Sequence, residues 1–114
     1  MDQARARELL QAERARIEAQ LRSAQAGPAG EELSDDDDEQ ADLATDTYQA
    51  ELDETRRDEL NEQLRAVDRA EQRLEDGTYG RSVVSGEPIP DERLEVNPAA
   101  ERTAAEQEAF ERGA

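Results

Sequence analysis

Two pairs of residues stand at the spacing of a metal-binding knuckle, Ser82 with Ser85 and Thr103 with Glu106. Cysteines at all four positions would form two C-x-x-C knuckles around a loop, the pattern of a structural zinc site. None of the four is a thiol. Hydroxyls are poor zinc ligands at neutral pH and one carboxylate does not make a site, so no metal is expected. A second cluster, Asp35 to Asp38 followed by Glu39, would attract Mg²⁺ or Ca²⁺ loosely. It lacks the central glycine and closing glutamate of a calcium-binding loop and reads as a solvated acidic cap. Catalytic chemistry has less still. The chain contains no His, Cys or Lys, which removes the commonest general base, the thiol nucleophile and the Schiff-base amine. Its carboxylates have no cleft to drive their pKa values apart. The chain is therefore not read as an enzyme.

Composition sets the elements that must carry these residues. The 114-residue chain is 34% apolar, 3% aromatic and 39% charged, with a net charge of -17. That lies close to the disordered class, and only strong periodicity argues for order. A large core is excluded, and a narrow apolar seam is expected in its place. All 14 basic residues are arginine against 31 Asp and Glu, a balance that repels nucleic acid and anionic membranes and favours a basic, concave partner. No apolar run approaches the ~20 residues of a membrane span and nothing at the start reads as a signal peptide, so the cytoplasm is the expected location.

Residues 2–25 read as a first helix, with Leu10, Ile17 and Ala24 every seven residues, Leu21 on the same stripe, and Arg7 and Arg14 weakening it. Gly27 and Pro28 stop it. After a loop with Ser34 as N-cap, residues 36–75 contain no Gly or Pro and read as one long helix. Leu60, Leu64, Val67 and Leu74 form its seam in one half, Tyr48, Leu52 and Thr55 in the other. Neither stripe can be buried alone, so the two helices are expected to pair antiparallel as a coiled-coil hairpin over residues 1–76, with an acidic tip near 30–45. The first helix would span roughly 36 Å. Asp76-Gly77-Thr78-Tyr79-Gly80 is a helix exit. Beyond it, residues 77–114 are expected to form a small head with a β-like patch, a core of Tyr79, Val83, Val84, Ile89, Leu94, Val96 and Phe110, and a C-terminal helix over 99–112 touching the head through Ala105 and Phe110.

These motifs carry a family likeness. Glu75-Asp76-Gly77-Thr78-Tyr79-Gly80, then x-S-x-x-S-G-x-P-I, then Arg93-Leu94-Glu95 with Pro98, resembles the C-terminal signature of the DksA/TraR family. Ser82, Ser85, Thr103 and Glu106 stand where that family normally has cysteines. Ala41-Asp42-Leu43-Ala44-Thr45 resembles its coiled-coil tip motif. The likeness implies a mainly α fold: an antiparallel two-helix coiled-coil hairpin, a degenerate, metal-free zinc-finger-like head and a C-terminal helix. It implies a bacterial transcription regulator that binds RNA polymerase directly and inserts its tip into the secondary channel to modulate initiation. Asp42 would then be the effector carboxylate, with Glu39 beside it and Ala44 the small residue allowing close approach. Arg56, Arg57, Arg65 and Arg69 would meet acidic patches on the polymerase rim. Glu59, Ala66 and Gln107 stand where some members carry basic residues for guanosine tetraphosphate, and none can pair with a phosphate. No cofactor, no direct nucleic-acid contact and no membrane are implied, and a monomer is expected. The rival reading is a structural or adaptor coiled coil that self-associates or binds a basic protein.

Overall fold

The computed structural model describes residues 1–26 and 43–113, with side chains for 1–24 and 49–113. The predicted acidic loop, its Ser34 cap, Glu39 and Asp42 lie outside the described residues. Four helices are present among them: α1 (Gln3–Ala26), α2 (Leu43–Asp76), α3 (Asp91–Val96) and α4 (Ala104–Glu111). No described helix is long and apolar enough to cross a membrane. Two compact units can be distinguished, one made of Met1–Ala15 and Arg65–Ala114, the other of Arg16–Leu64.

In the first unit the two long helices run antiparallel, since Gln3 Nε2 donates to the Leu74 carbonyl at 3.4 Å while Arg14 reaches Asp68 and Glu71. Ala6, Leu10, Val67, Ala70 and Leu74 are buried along the facing stripes. The two alanines escape a reading based on large apolar side chains, yet they permit close helix approach. Arg14 does not weaken the seam. It is half-buried and spans to the other helix, with Nη2 to Glu71 Oε1 at 2.8 Å and a second bond to Asp68. The hydrogen bonds it donates to Glu71 and Asp68 hold its guanidinium more firmly protonated than usual.

In the second unit Ile17, Leu21 and Leu60 are buried, and Arg56 Nη2 donates to Gln20 Oε1 at 2.9 Å. The expected distal seam is not formed at Leu52, which is 44% exposed, nor at Thr55, also exposed. The Gln20–Arg56 pairing puts Leu52 opposite a position near Ala24, whose single methyl offers too little surface to cover it.

The exit from α2 is a Schellman motif. Gly77 takes the left-handed conformation at φ 83°, its amide donates to the Leu74 carbonyl at 3.4 Å, and the Thr78 amide donates to Arg73 at 2.9 Å. The chain then turns through residues 81–88. The expected β-like patch reduces to one isolated bridge between Arg81 and Pro88, closed by Ser82 N to Glu87 O at 2.8 Å and Gly86 N to Ser82 O at 2.9 Å.

Ile89, Leu94 and Ala100 form the small core here, with Tyr79 packed against it. Four expected members are on the surface instead: Val83 is 51% exposed, Val84 65%, Val96 84% and Phe110 55%. Ala99 and Ala100 are buried in their place, because the unpredicted helix α3 folds back and brings the Asn97–Ala100 turn over Leu94 and Ile89. The last helix also starts later than expected, at Ala104. Thr103 caps it through a reciprocal capping box with Glu106. Residues 99–103 stay extended enough for their carbonyls to bond elsewhere: Val83 N donates to Glu101 O at 2.8 Å and Arg93 Nε to Arg102 O at 2.9 Å. Ala105 is exposed and Phe110 lies under the Arg102 guanidinium, 3.9 Å from its ring centroid.

Candidate functional site

The four residues at knuckle spacing come together. Loop 81–88 presents Ser82 and Ser85, and the start of α4 presents Thr103 and Glu106. Glu106 Oε1 accepts the Ser82 hydroxyl at 2.5 Å and the Thr103 amide at 3.0 Å, while the Glu106 amide donates to Thr103 Oγ1 at 3.2 Å. Ser82 Oγ in turn accepts the amides of Val84 at 3.0 Å and Ser85 at 3.2 Å. The Ser82 and Ser85 hydroxyls and the Thr103 amide hold the Glu106 carboxyl down at about 2. Ser82 is only 5% exposed, the one buried polar residue among those described.

A zinc ion does not fit these residues. Tetrahedral zinc takes thiolate, imidazole or carboxylate donors, and this set offers one carboxylate and three neutral hydroxyls. The oxygens that a cation would need are already engaged, Ser82 Oγ by two amides and Glu106 Oε1 by a hydroxyl and an amide. Among the described residues no group of three or more His, Cys, Asp or Glu is arranged to hold a metal.

Beside this cluster lies an ionic one that the spacing of the sequence did not reveal. Glu101 receives Arg69 at 2.7 Å and Arg73 at 3.3 Å, with Arg102 at 3.9 Å. Burial pushes its carboxyl up, but the three guanidinium groups outweigh that and hold it below the usual range. Arg73 also donates to the Ala100 carbonyl at 3.4 Å, and its Nε is buried without a hydrogen-bond partner. Tyr79 completes the set, its hydroxyl donating to the Pro98 carbonyl at 2.7 Å. Burial raises its pKa to about 12. On the side facing α1, Arg5 grips Glu95 of α3 with two bonds at 2.7 and 3.1 Å. A clue to one part was legible: Thr103-Ala104-Ala105-Glu106 is itself a helix-start signature.

The candidate polymerase contacts are spread along α2. Arg56 bonds Gln20 and stands 3.9 Å from Glu59. Arg57 is half-buried and Arg65 exposed. Arg69 is turned to Glu101. Ala44 belongs to the first turn of α2. Of the positions compared with alarmone-binding residues, Glu59 is exposed and Gln107 bonds Glu111 at 3.0 Å. The hollows on the surface of the first unit are shallow. One, of about 200 Å³, lies between Val84, Arg102, Glu106, Ala109 and Phe110.

Comparison with known proteins places this arrangement. The model of the prokaryotic DksA/TraR C4-type zinc finger matches residues 77–112. The uncharacterized protein YteA of Bacillus subtilis is 41% identical over 81 residues, which is 71% of this chain and 34% of YteA. The chain thus spans about a third of the length of that curated relative. Among solved structures, transcription factor DksA2 from Pseudomonas aeruginosa is similar with a TM-score of 0.77 and 28% identity, over 96% of this chain and 83% of that one.

Proposed function

We propose that this chain is a member of the DksA/TraR family, which it resembles in its head and paired helices, and that it regulates bacterial transcription by binding RNA polymerase directly and inserting the tip between α1 and α2 into the secondary channel. The observation that carries this reading is the likeness to a transcription factor over 96% of the chain, covering the paired helices as well as the zinc-finger-like head. Chemistry agrees with it. A net charge of -17 with no lysine disfavours DNA and suits a basic channel in a protein partner. The protein acts as a regulator and not as an enzyme, in the cytoplasm and as a monomer.

In this reading Asp42 is the effector carboxylate, Glu39 adds charge beside it and Ala44 leaves room for close approach. Arg56, Arg57, Arg65 and Arg69 meet the polymerase rim. Because Arg69 also holds Glu101, Arg56 and Arg57 are the cleaner positions at which to test that contact.

The test is capture of purified core polymerase, with and without a second protein that occupies the secondary channel. Binding that the competitor abolishes supports the reading; binding that it leaves unchanged overturns it. Asp42→Asn should retain binding and lose the effect on open-complex lifetime. An unchanged effect would remove Asp42 from the mechanism. A stable dimer by light scattering at micromolar concentration would favour the self-associating coiled coil.

A further inference from the structure

We propose that the Glu106 carboxylate replaces the zinc ion as the cross-link of the head, joining loop 81–88 to the start of α4. The inference concerns the folding of the head and does not depend on polymerase binding. It starts from the polarity of the cluster. A zinc finger arranges anionic sulfurs around a cation. Here the charges are reversed, with O–H and N–H donors arranged around one anion. Glu106 Oε1 takes the Ser82 hydroxyl at 2.5 Å and the Thr103 amide at 3.0 Å.

The hydrogen-bonding capacity of Ser82 is used in full. Its one proton goes to Glu106, and its two lone pairs take Val84 N at 3.0 Å and Ser85 N at 3.2 Å. The same hydroxyl that closes the loop on itself therefore ties it to α4. Thr103 serves both ends of the link, through its amide and through its own hydroxyl at 3.2 Å from the Glu106 amide. A second strap, Val83 N to Glu101 O at 2.8 Å, holds the same two segments in register. Hydrogen bonds to a charged acceptor are about twice as strong as neutral ones, so one carboxylate with two donors from separate segments can stand in for a metal in a head whose apolar core is Ile89, Leu94 and Ala100. A cation entering this space would face donor protons, which explains why the two solutions exclude each other.

The experiment uses the full chain. Zinc content is measured after dialysis against ZnCl₂, unfolding is followed by circular dichroism with and without EDTA, and amide hydrogen exchange is read by NMR. The expected result is no retained zinc, the same unfolding midpoint in EDTA, and amides of Val84, Ser85 and Thr103 that exchange at least about tenfold faster in Glu106→Ala. Amides near Leu60 should keep their rates. Glu106→Gln keeps the shape and one acceptor oxygen, and should show a smaller acceleration at the same three amides, which keeps the test readable where the alanine variant does not fold. Stoichiometric zinc with a midpoint lowered by EDTA would overturn the proposal. So would wild-type exchange at Val84, Ser85 and Thr103 in both variants.

Discussion

Glu106 shows how much a single side chain can be asked to do in a head with few apolar residues. Its carboxyl sits at about 2 against an ordinary 4.5, so the folded state favours the ionised form. The stability it contributes is present above pH 4.5 and is lost as pH falls from there toward 2. Denaturant midpoints of wild type and Glu106→Gln should therefore differ at neutral pH and draw together as the solution is acidified from pH 4.5 toward 2; a constant gap would contradict the ionic link. Tyr79 offers a test of opposite character. Removing its hydroxyl in Tyr79→Phe strands the carbonyl of Pro98, a buried residue, and should cost about 1–3 kcal/mol in urea unfolding. Residue types alone misled the reading of this region. Val83, Val84, Val96 and Phe110 are the apolar side chains a core is usually built from, yet Ala99, Ala100 and Ser82 are the ones enclosed. Burial here follows the turns and hydrogen bonds of residues 81–103, and hydropathy carries no record of those.

Among the elements, the long helices were legible and the short ones were not. Heptad spacing at Leu10 and Ile17, and at Leu60, Val67 and Leu74, survives burial in the structure because a seam repeats one local rule many times. The stop at Gly77 was legible too, since a left-handed exit needs a glycine. Helix α3 has six residues and no side-chain cap at Pro90, so it exists through Leu94 packing and the Arg5–Glu95 pair, which no local pattern announces. Leu52 is an expected seam position that stays exposed. Leu60→Ala should lower stability by about 2–5 kcal/mol, whereas Leu52→Ala should change it by less than about 0.5 kcal/mol. Equal losses in thermal or urea unfolding would mean that Leu52 is covered after all.

For the whole molecule, charge is the dominant property. With 31 acidic residues against 14 arginines, the proposed attraction to a basic channel predicts strong screening by salt. Affinity for core polymerase should drop several-fold between about 50 and 300 mM KCl, measured by fluorescence anisotropy. An affinity indifferent to salt would mean that apolar contacts dominate, and the exposed Val84 and Phe110 would become the surface to mutate. The family likeness was readable because the motifs keep their order and spacing although none of the four knuckle positions is a thiol. The proposed roles of Asp42 and Glu39 rest on that likeness, and the effect of Asp42→Asn on open-complex lifetime decides the role of Asp42.

Glu101 has a genetic consequence. Three arginines converge on it, and Arg73, at 14% side-chain exposure, is the least able to find another counter-ion. Loss of the acid in Glu101→Gln should harm the fold mainly by leaving that cation enclosed and uncompensated. Replacing the arginine as well, in Arg73→Met, should act as an intragenic suppressor, with the double variant melting above the single one. An additive loss would instead show that Arg73 contributes by its own bond to Ala100.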